Sequence, residues 1–266
     1  MAEAYSNFAA VYDALMDNIP YDAWADYLHS LLVEYDIASG ILAELGCGTG
    51  NVTTRLSKAG YDMIGVDDAE EMLSVAREKQ DSEQILYLQQ DMRSFELYGT
   101  VRAVVSICDC MNYLLEEEDL LKTFQLVNNY LDPDGIFIFD FNTIYKYKEV
   151  MGDTVIAENR EDCSFIWENY YDVEEEINEY DLTIFVQTQE DLFQRFTETH
   201  LQRGYTLEQM QEILQKAGLV FLKAIDVDTQ GEVTEQTERI CIIAREHGNL
   251  QGRVLHRRRC GSSCYP

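Results

Sequence analysis

Residues 44–50 read Glu-Leu-Gly-Cys-Gly-Thr-Gly, with glycine at every second position from 46 to 50. Glycines so placed let a backbone turn sharply and come close to a ligand. The run Ile41-Leu-Ala-Glu-Leu45 before them reads as a short buried strand, and Val52 to Ala59 behind them as a helix. Gly60 follows that helix, at the position where glycine commonly ends one. A strand, a glycine turn and a helix in this order commit the first half of the chain to an open α/β sheet. Such sheets bind ligands beyond the carboxyl ends of their strands. Asp67 ends the next strand, about twenty residues past Gly46, where an acidic side chain can accept hydrogen bonds from ribose hydroxyls. A dinucleotide fingerprint would need glycine at 51, where Asn51 stands, and Lys58 lies outside any ATP phosphate-loop frame. The spacing suggests an adenosine-type ligand without a pyrophosphate.

The alternation continues. Strand-like runs lie at 62–67, 85–89, 101–107 and 136–141, and helix-like runs at 69–79 and 117–130. Two helices open the chain, at 5–16 and from Asp22 to about Tyr35, with Asp22 as the cap of the second. Pro133-Asp-Gly135 reads as a turn. After 145 the rhythm changes to a period of two in a heavily acidic stretch, with runs at 164–171, 177–186 and 192–201. This pattern predicts an antiparallel β insertion, solvated on one face, over 146–205. Thr206 and Gln209 fit a capping box for a helix to Ala217. Strands at 219–227 and 237–244 complete the core. The fold class expected is α/β, a doubly wound, mostly parallel seven-stranded sheet. Residues 1–145 and 206–246 form its main domain. A basic tail, 247–266, carries Arg253 and Arg257 to Arg259, as a disordered extension or as an arm for an anionic surface.

Twenty basic against 49 acidic residues give a net charge of −29. That balance disfavours a broad nucleic-acid footprint. Seven cysteines without a C-x-x-C pair, and four scattered histidines without H-E-x-x-H, point to reduced thiols and no metal site. No apolar run nears the ~20 residues a membrane helix needs. The N-terminus lacks the basic and apolar regions of a signal peptide, so a cytoplasmic location with no membrane partner is expected.

The segment Glu44 to Gly50 resembles the first motif of class I S-adenosylmethionine-dependent methyltransferases. Four further segments match in order: Gly65 to Leu73, Gln90 to Phe95, Ser106 to Leu114 and Leu131 to Asp140. Phe8 to Asp13 with Pro20 to Trp24 resembles a branch of bacterial methyltransferases, many from Firmicutes, with no acceptor assigned. The resemblance implies the Rossmann-like methyltransferase fold and S-adenosyl-L-methionine as cofactor. It also assigns roles. Gly46, Cys47, Gly48 and Gly50 would pass beneath the ribose and methionine portion. Glu44 would fix the loop or the methionine amino group. Asp67 would bind the ribose, with Asp68 beside it where the family often has an apolar residue. Asp91 would accept from the adenine amino group, with Met92 near the ring. Cys108 or Asp109 would lie by the methionine end, and Tyr5 and Tyr12 could close over the cofactor.

Several of these residues have plainer readings. Asp91 could be a turn residue, Asp109 a cap or loop acid, and Tyr5 and Tyr12 core aromatics. His200 reads as a core or surface histidine before a base. Trp167, Tyr170 and Tyr171 read as packing or as a substrate cage. The cofactor carries the electrophilic methyl group, so the protein's task is alignment. No general base is identifiable, and the Asp-Pro-Pro-Tyr type of motif is absent after strand four, where Asp109-Cys-Met-Asn112 stands. The acidic insertion favours a cationic or neutral small-molecule acceptor. Two alternatives remain: a catalytically silent cofactor-binding module, and an enzyme using a modified S-adenosylmethionine in tRNA-related chemistry. The latter asks for arginine near an extra carboxylate, and the loops after strands one and four carry none.

Overall fold

The structure is a computed structural model that describes residues 9–80, 82–189 and 192–247. Tyr5 and most of the basic tail lie outside the described residues. Two helices, α1 (Ala9–Leu15) and α2 (Tyr21–Glu34), precede β1 (Gly40–Leu45), α3 (Asn51–Lys58), β2 (Tyr61–Asp67), α4 (Glu70–Glu78) and β3 (Leu86–Gln89). Next come β4 (Val101–Ser106), α5 (Glu117–Tyr130) and β5 (Leu131–Asn142). The insertion holds β6 (Val155–Asn159), β7 (Cys163–Asp172), β8 (Ile177–Gln189) and β9 (Leu192–Arg203). Then α6 (Leu207–Lys216), β10 (Leu219–Asp226) and β11 (Arg239–Glu246) close the core.

Seven strands form the main sheet in the order β3-β2-β1-β4-β5-β11-β10. All pairings are parallel except those of β11, which runs antiparallel to both β5 and β10. From β1 the chain winds outward to β3, then returns to place β4 on β1's other side. Strand order therefore reverses between β1 and β4, which opens a crevice at their carboxyl ends. The glycine turn sits at that point.

Alternating side chains of β5 explain why both faces are covered. Phe137, Phe139 and Phe141 join the core under α5 and α6, while Ile136 and Ile138 join the core under α2 and α3. Strand side chains alternate faces, so a strand buried on both sides reads as one continuous apolar run.

Three local expectations are corrected. Asp22 does not cap α2: the helix starts at Tyr21 after Pro20 without a side-chain cap, and Asp22 pairs with Arg55 of α3 at 2.6 Å. Pro133-Asp-Gly135 does not separate α5 from β5. It is an irregularity inside β5, with Asp134 in the left-handed region at φ 63°. The insertion has four strands, in the order β6-β7-β8-β9, all antiparallel. The unforeseen β6 is exposed nearly throughout, so it carries no alternation to read. The capping box of α6 is present as expected, with both reciprocal bonds between Thr206 and Gln209.

The insertion meets the core both directly, where Gln202 and Arg203 of β9 bond to the turn after β4, and through α1. Leu15 and Val11 of α1 pack against Ala69 and Met72 on one side and Tyr180, Leu182 and Ile184 of β8 on the other. Thus α1 is wedged between the core and the insertion.

Candidate active site

At the end of β1 the amides of Gly46 and Cys47 both donate to the Val66 carbonyl, at 2.8 and 3.1 Å. This turns the chain away from the sheet. Gly46, Gly48 and Gly50 have φ of 69°, 53° and 72°. Such angles favour glycine. The three differ in surroundings. A Cβ on Gly46 would collide with Cys110, and one on Gly50 with the Tyr87 hydroxyl, with Ala76 3.2 Å away. A Cβ on Gly48 would meet nothing within 4 Å. Gly48 faces a cavity whose wall includes Glu44, Gly46, Cys47, Thr49, Asp67 and Asp68. Gly50 is not on this wall; it starts α3 and lets it pack closely.

Asp67 holds the turn from the side. Its Oδ2 accepts from the Gly48 amide at 2.7 Å and its Oδ1 from the Ala69 amide at 2.9 Å. Burial raises its pKa, and these two amides pull the other way. Glu44 is fully enclosed, and the described residues give it one donor, the Thr53 hydroxyl at 2.5 Å. Burial pushes its pKa up to about 8, with the negative charge of Asp67 adding to the rise. A buried carboxyl beside a cavity, with no cation of its own, fits a ligand that brings one.

Asp91 is placed differently from the expectation. Its side chain is not part of the cavity wall, and Arg93 takes both its oxygens at 2.5–3.0 Å. Its neighbours Gln90 and Met92 line the wall instead.

After β4 the chain makes an unusual turn. Cys108 and Asp109 are consecutive non-glycine residues in the left-handed region, at φ 65° and 51°. Each such residue costs about 1–3 kcal/mol and persists only where its surroundings enforce it. Here Asp140 of β5 enforces it: its buried carboxylate accepts from the Cys108 amide at 3.2 Å and the Asp109 amide at 2.8 Å. Arg239, the first residue of β11, lies 2.8 Å from Asp140 and 3.8 Å from Asp109. Gln202 of β9 donates to the Asp109 carboxylate at 2.6 Å. Burial raises the Asp140 pKa, opposed by the guanidinium.

Asp109 does not face the glycine-turn cavity. It lines a second cavity, bounded by α1, the start of α2, the 108–113 turn, the insertion and Arg239. The two cavities share Tyr12, Tyr21, Cys108 and Tyr113. Tyr12 therefore stands at the junction, as a closing residue would. Trp167 lines the second cavity and stacks on Tyr180 at 4.0 Å, whereas Tyr170 is exposed and Tyr171 is buried away from both cavities. His200 is buried, stacks on Tyr180 and meets the Tyr113 hydroxyl at 3.1 Å.

Sequence reasoning missed Thr49, Cys110, Tyr113 and Arg239 on these walls, and Asp140 and Gln202 behind them. Cys110 and Tyr113 belong to a matched motif and could have been read from it. Gln202 and Arg239 reach the site from distant strands, and no local pattern marks them.

Comparison with known proteins agrees with this geometry. Residues 42–135 match the family described as "Methyltransferase domain". The chain is 38% identical to the Bacillus subtilis protein "Putative methyltransferase YqeM" over 91% of its own length and 97% of the relative's. A solved S-adenosylmethionine-dependent methyltransferase from Clostridium acetobutylicum superposes with a TM-score of 0.83. It shows 29% identity, over 92% of this chain and 99% of that one. CalS10 from Micromonospora echinaspora, solved with S-adenosylmethionine bound, superposes with a TM-score of 0.72 over 89% of this chain and 97% of its own. At 17% identity that likeness is one of fold. The chain belongs to the class I S-adenosylmethionine-dependent methyltransferases, in a branch represented among Firmicutes, and S-adenosyl-L-methionine is its cofactor.

Proposed function

We propose that the protein methylates a small-molecule acceptor held in the second cavity, from a cofactor held against the glycine turn. The observation that carries this reading is the shared wall. Tyr12, Tyr21, Cys108 and Tyr113 border both cavities, so two bound molecules would meet there. The residues fit the cofactor by their chemistry. Gly48 offers backbone with no side chain in the way, Asp67 offers a half-buried carboxylate for two ribose hydroxyls, and Glu44 offers a negative charge for the methionine ammonium.

The bound cofactor supplies a methyl group already activated by its positive sulfur. The chain's own part is to orient the acceptor and exclude water. Fixing two reactants in line can supply roughly 7–11 kcal/mol of the barrier. The strained 108–109 turn, clamped by Asp140, gives the junction a fixed backbone. The insertion contributes Ile156, Glu158, Phe165, Trp167, Tyr180 and Leu182 to the second cavity and nothing to the first. That division supports a cover over the acceptor with no part in cofactor binding.

Titration of the full chain with S-adenosylhomocysteine tests the reading. One site per chain is expected, and Gly48→Val should abolish binding; a side chain there meets nothing within 4 Å but strains the backbone at φ 53°, so circular dichroism must first show that the variant folds. Unchanged affinity in folded Gly48→Val would reject the assignment.

A further inference from the structure

Seven aromatic residues, among them Tyr12, Tyr21, Trp24, Phe165, Trp167 and Tyr180, contribute to the wall of the second cavity. Three charged side chains share that wall: Asp109, Glu158 and Arg239. Their neighbours decide what charge a ligand meets. Glu158 is held by Arg160 at 2.5 Å. Arg239 lies 2.8 Å from the buried Asp140, and its guanidinium sits over the Trp24 ring at 5.0 Å. One cation therefore stands between two carboxylates, Asp140 and Asp109. Asp140 is the nearer partner and is only 6% exposed, whereas the Asp109 side chain is 28% exposed. Burial pushes the Cys108 thiol and the Tyr21 and Tyr180 phenols upward, so these three add no charge at pH 7. The net charge presented to a ligand is negative and is centred on Asp109.

We infer that the acceptor is an amine on a flat or apolar body, with its ammonium drawn to the Asp109 carboxylate and its body stacked among the aromatic walls. This rests on the second cavity being the acceptor site. An anionic acceptor would find Arg239 already matched and Asp109 repelling it. A neutral one would leave the carboxylate partly desolvated without return. A cation gains from the carboxylate and from the ring faces together.

Asp109 follows Cys108, which lies on the wall common to both cavities, so an amine at Asp109 is one residue from the junction. An ammonium has no free electron pair and must first lose a proton. The Asp109 carboxylate accepts it, leaving the neutral amine. The nitrogen pair then forms the N–C bond as the S–C bond breaks, and the bonding pair of the latter stays on sulfur. Sulfonium becomes thioether, the methylated nitrogen takes the positive charge, and Asp109 passes its proton to solvent. Gln202, at 2.6 Å, keeps the carboxylate oriented for this exchange.

Three probes of one shape test the inference on the full chain saturated with S-adenosylhomocysteine: tryptamine, 3-ethylindole and indole-3-propionate. Calorimetry should show tryptamine binding at least tenfold tighter than 3-ethylindole, and indole-3-propionate weakest. Asp109→Asn should erase the preference for tryptamine and leave the 3-ethylindole affinity within threefold, while Glu158→Gln should keep the preference. A preference for the acid, a preference for the amine that survives Asp109→Asn, or no binding of any probe would overturn the inference. The ranking of probes in the unsubstituted protein already decides the charge question if Asp109→Asn does not fold. Failure of S-adenosylhomocysteine itself to bind would instead reject the cofactor assignment, a separate result.

Discussion

At the scale of single residues, Glu44 couples the site to pH. Burial raises its folded pKa from 4.5 to about 8. A carboxyl raised in this way favours the folded state fully below the unfolded value, and that contribution is lost as pH rises toward the folded one. Glu44→Gln should therefore gain stability relative to the unsubstituted protein, in the ligand-free state, as pH goes from 5 to 8, and then level off; urea unfolding across that range measures it. The same carboxyl must ionise to meet an ammonium. Binding of S-adenosylhomocysteine at pH 7 should release close to one proton, seen as a dependence of calorimetric enthalpy on the buffer, and Glu44→Gln should remove that dependence. Asp67 and Asp68 make a second comparison. Both line the cavity, but Asp67 is held by two backbone amides. Hydrogen bonds to a charged group contribute about 1.5–3 kcal/mol each. Asp67→Ala should weaken S-adenosylhomocysteine at least tenfold in the same titration. Asp68→Ala should do far less, and the reverse order would exchange their roles. Glu44, Gly48 and Asp67 could be picked out as candidates because they lie within one strand–turn–helix–strand unit. Asp91 was not, because the two-residue reach of Arg93 onto it is a side-chain event that no spacing records.

At the scale of elements, α1 is tied to both bodies it touches. Asp13 accepts from Thr49 at 2.6 Å and Asn51 at 2.8 Å, and pairs with Lys79 at 2.7 Å. Burial works to raise its pKa, but Lys79, Thr49 and Asn51 together hold it below the usual carboxylate range. At its other end, Asp17 beyond the helix meets Arg160 of the insertion at 2.9 Å. Since α1 carries Tyr12 over both cavities, breaking the first tie should free the exit of a bound ligand. Asp13→Ala should raise the dissociation rate of S-adenosylhomocysteine several-fold with little change in the association rate, as is usual when contacts are trimmed; stopped-flow chase experiments read both. An unchanged dissociation rate would mean that α1 does not gate the site. The helix itself was readable from its apolar spacing. Its clamp was not, because Asp13, Thr49 and Lys79 are drawn from three separate elements.

At the scale of the whole molecule, the excess of acid acts as a uniform load. A net charge of −29 repels itself across the surface and disfavours the compact state. Added salt shortens the screening length from about 30 Å at 0.01 M to about 8 Å at 0.15 M. The thermal midpoint should therefore rise as sodium chloride goes from about 10 to about 150 mM. A midpoint that falls would mean that ion pairs such as Asp13–Lys79 and Asp17–Arg160 outweigh the repulsion. Among the described residues no helix is long and apolar enough to cross a membrane.

The sequence by itself determined the seven-stranded core, the place of the glycine turn and the presence of an antiparallel insertion. Each of these is written in neighbouring residues: glycines where the backbone must turn left-handed, continuous apolar runs where a strand is covered on both faces, alternation where one face is wet. Only the tertiary structure decided which glycine faces the cavity, that Asp140 clamps the 108–109 turn, and that β9 and β11 bring Gln202 and Arg239 to Asp109. Those contacts join residues as far as 93 and 130 positions apart. Their geometry depends on sheet order and on how the insertion lies across α1. Periodicity reports which face of an element is buried; it does not report what that face is buried against.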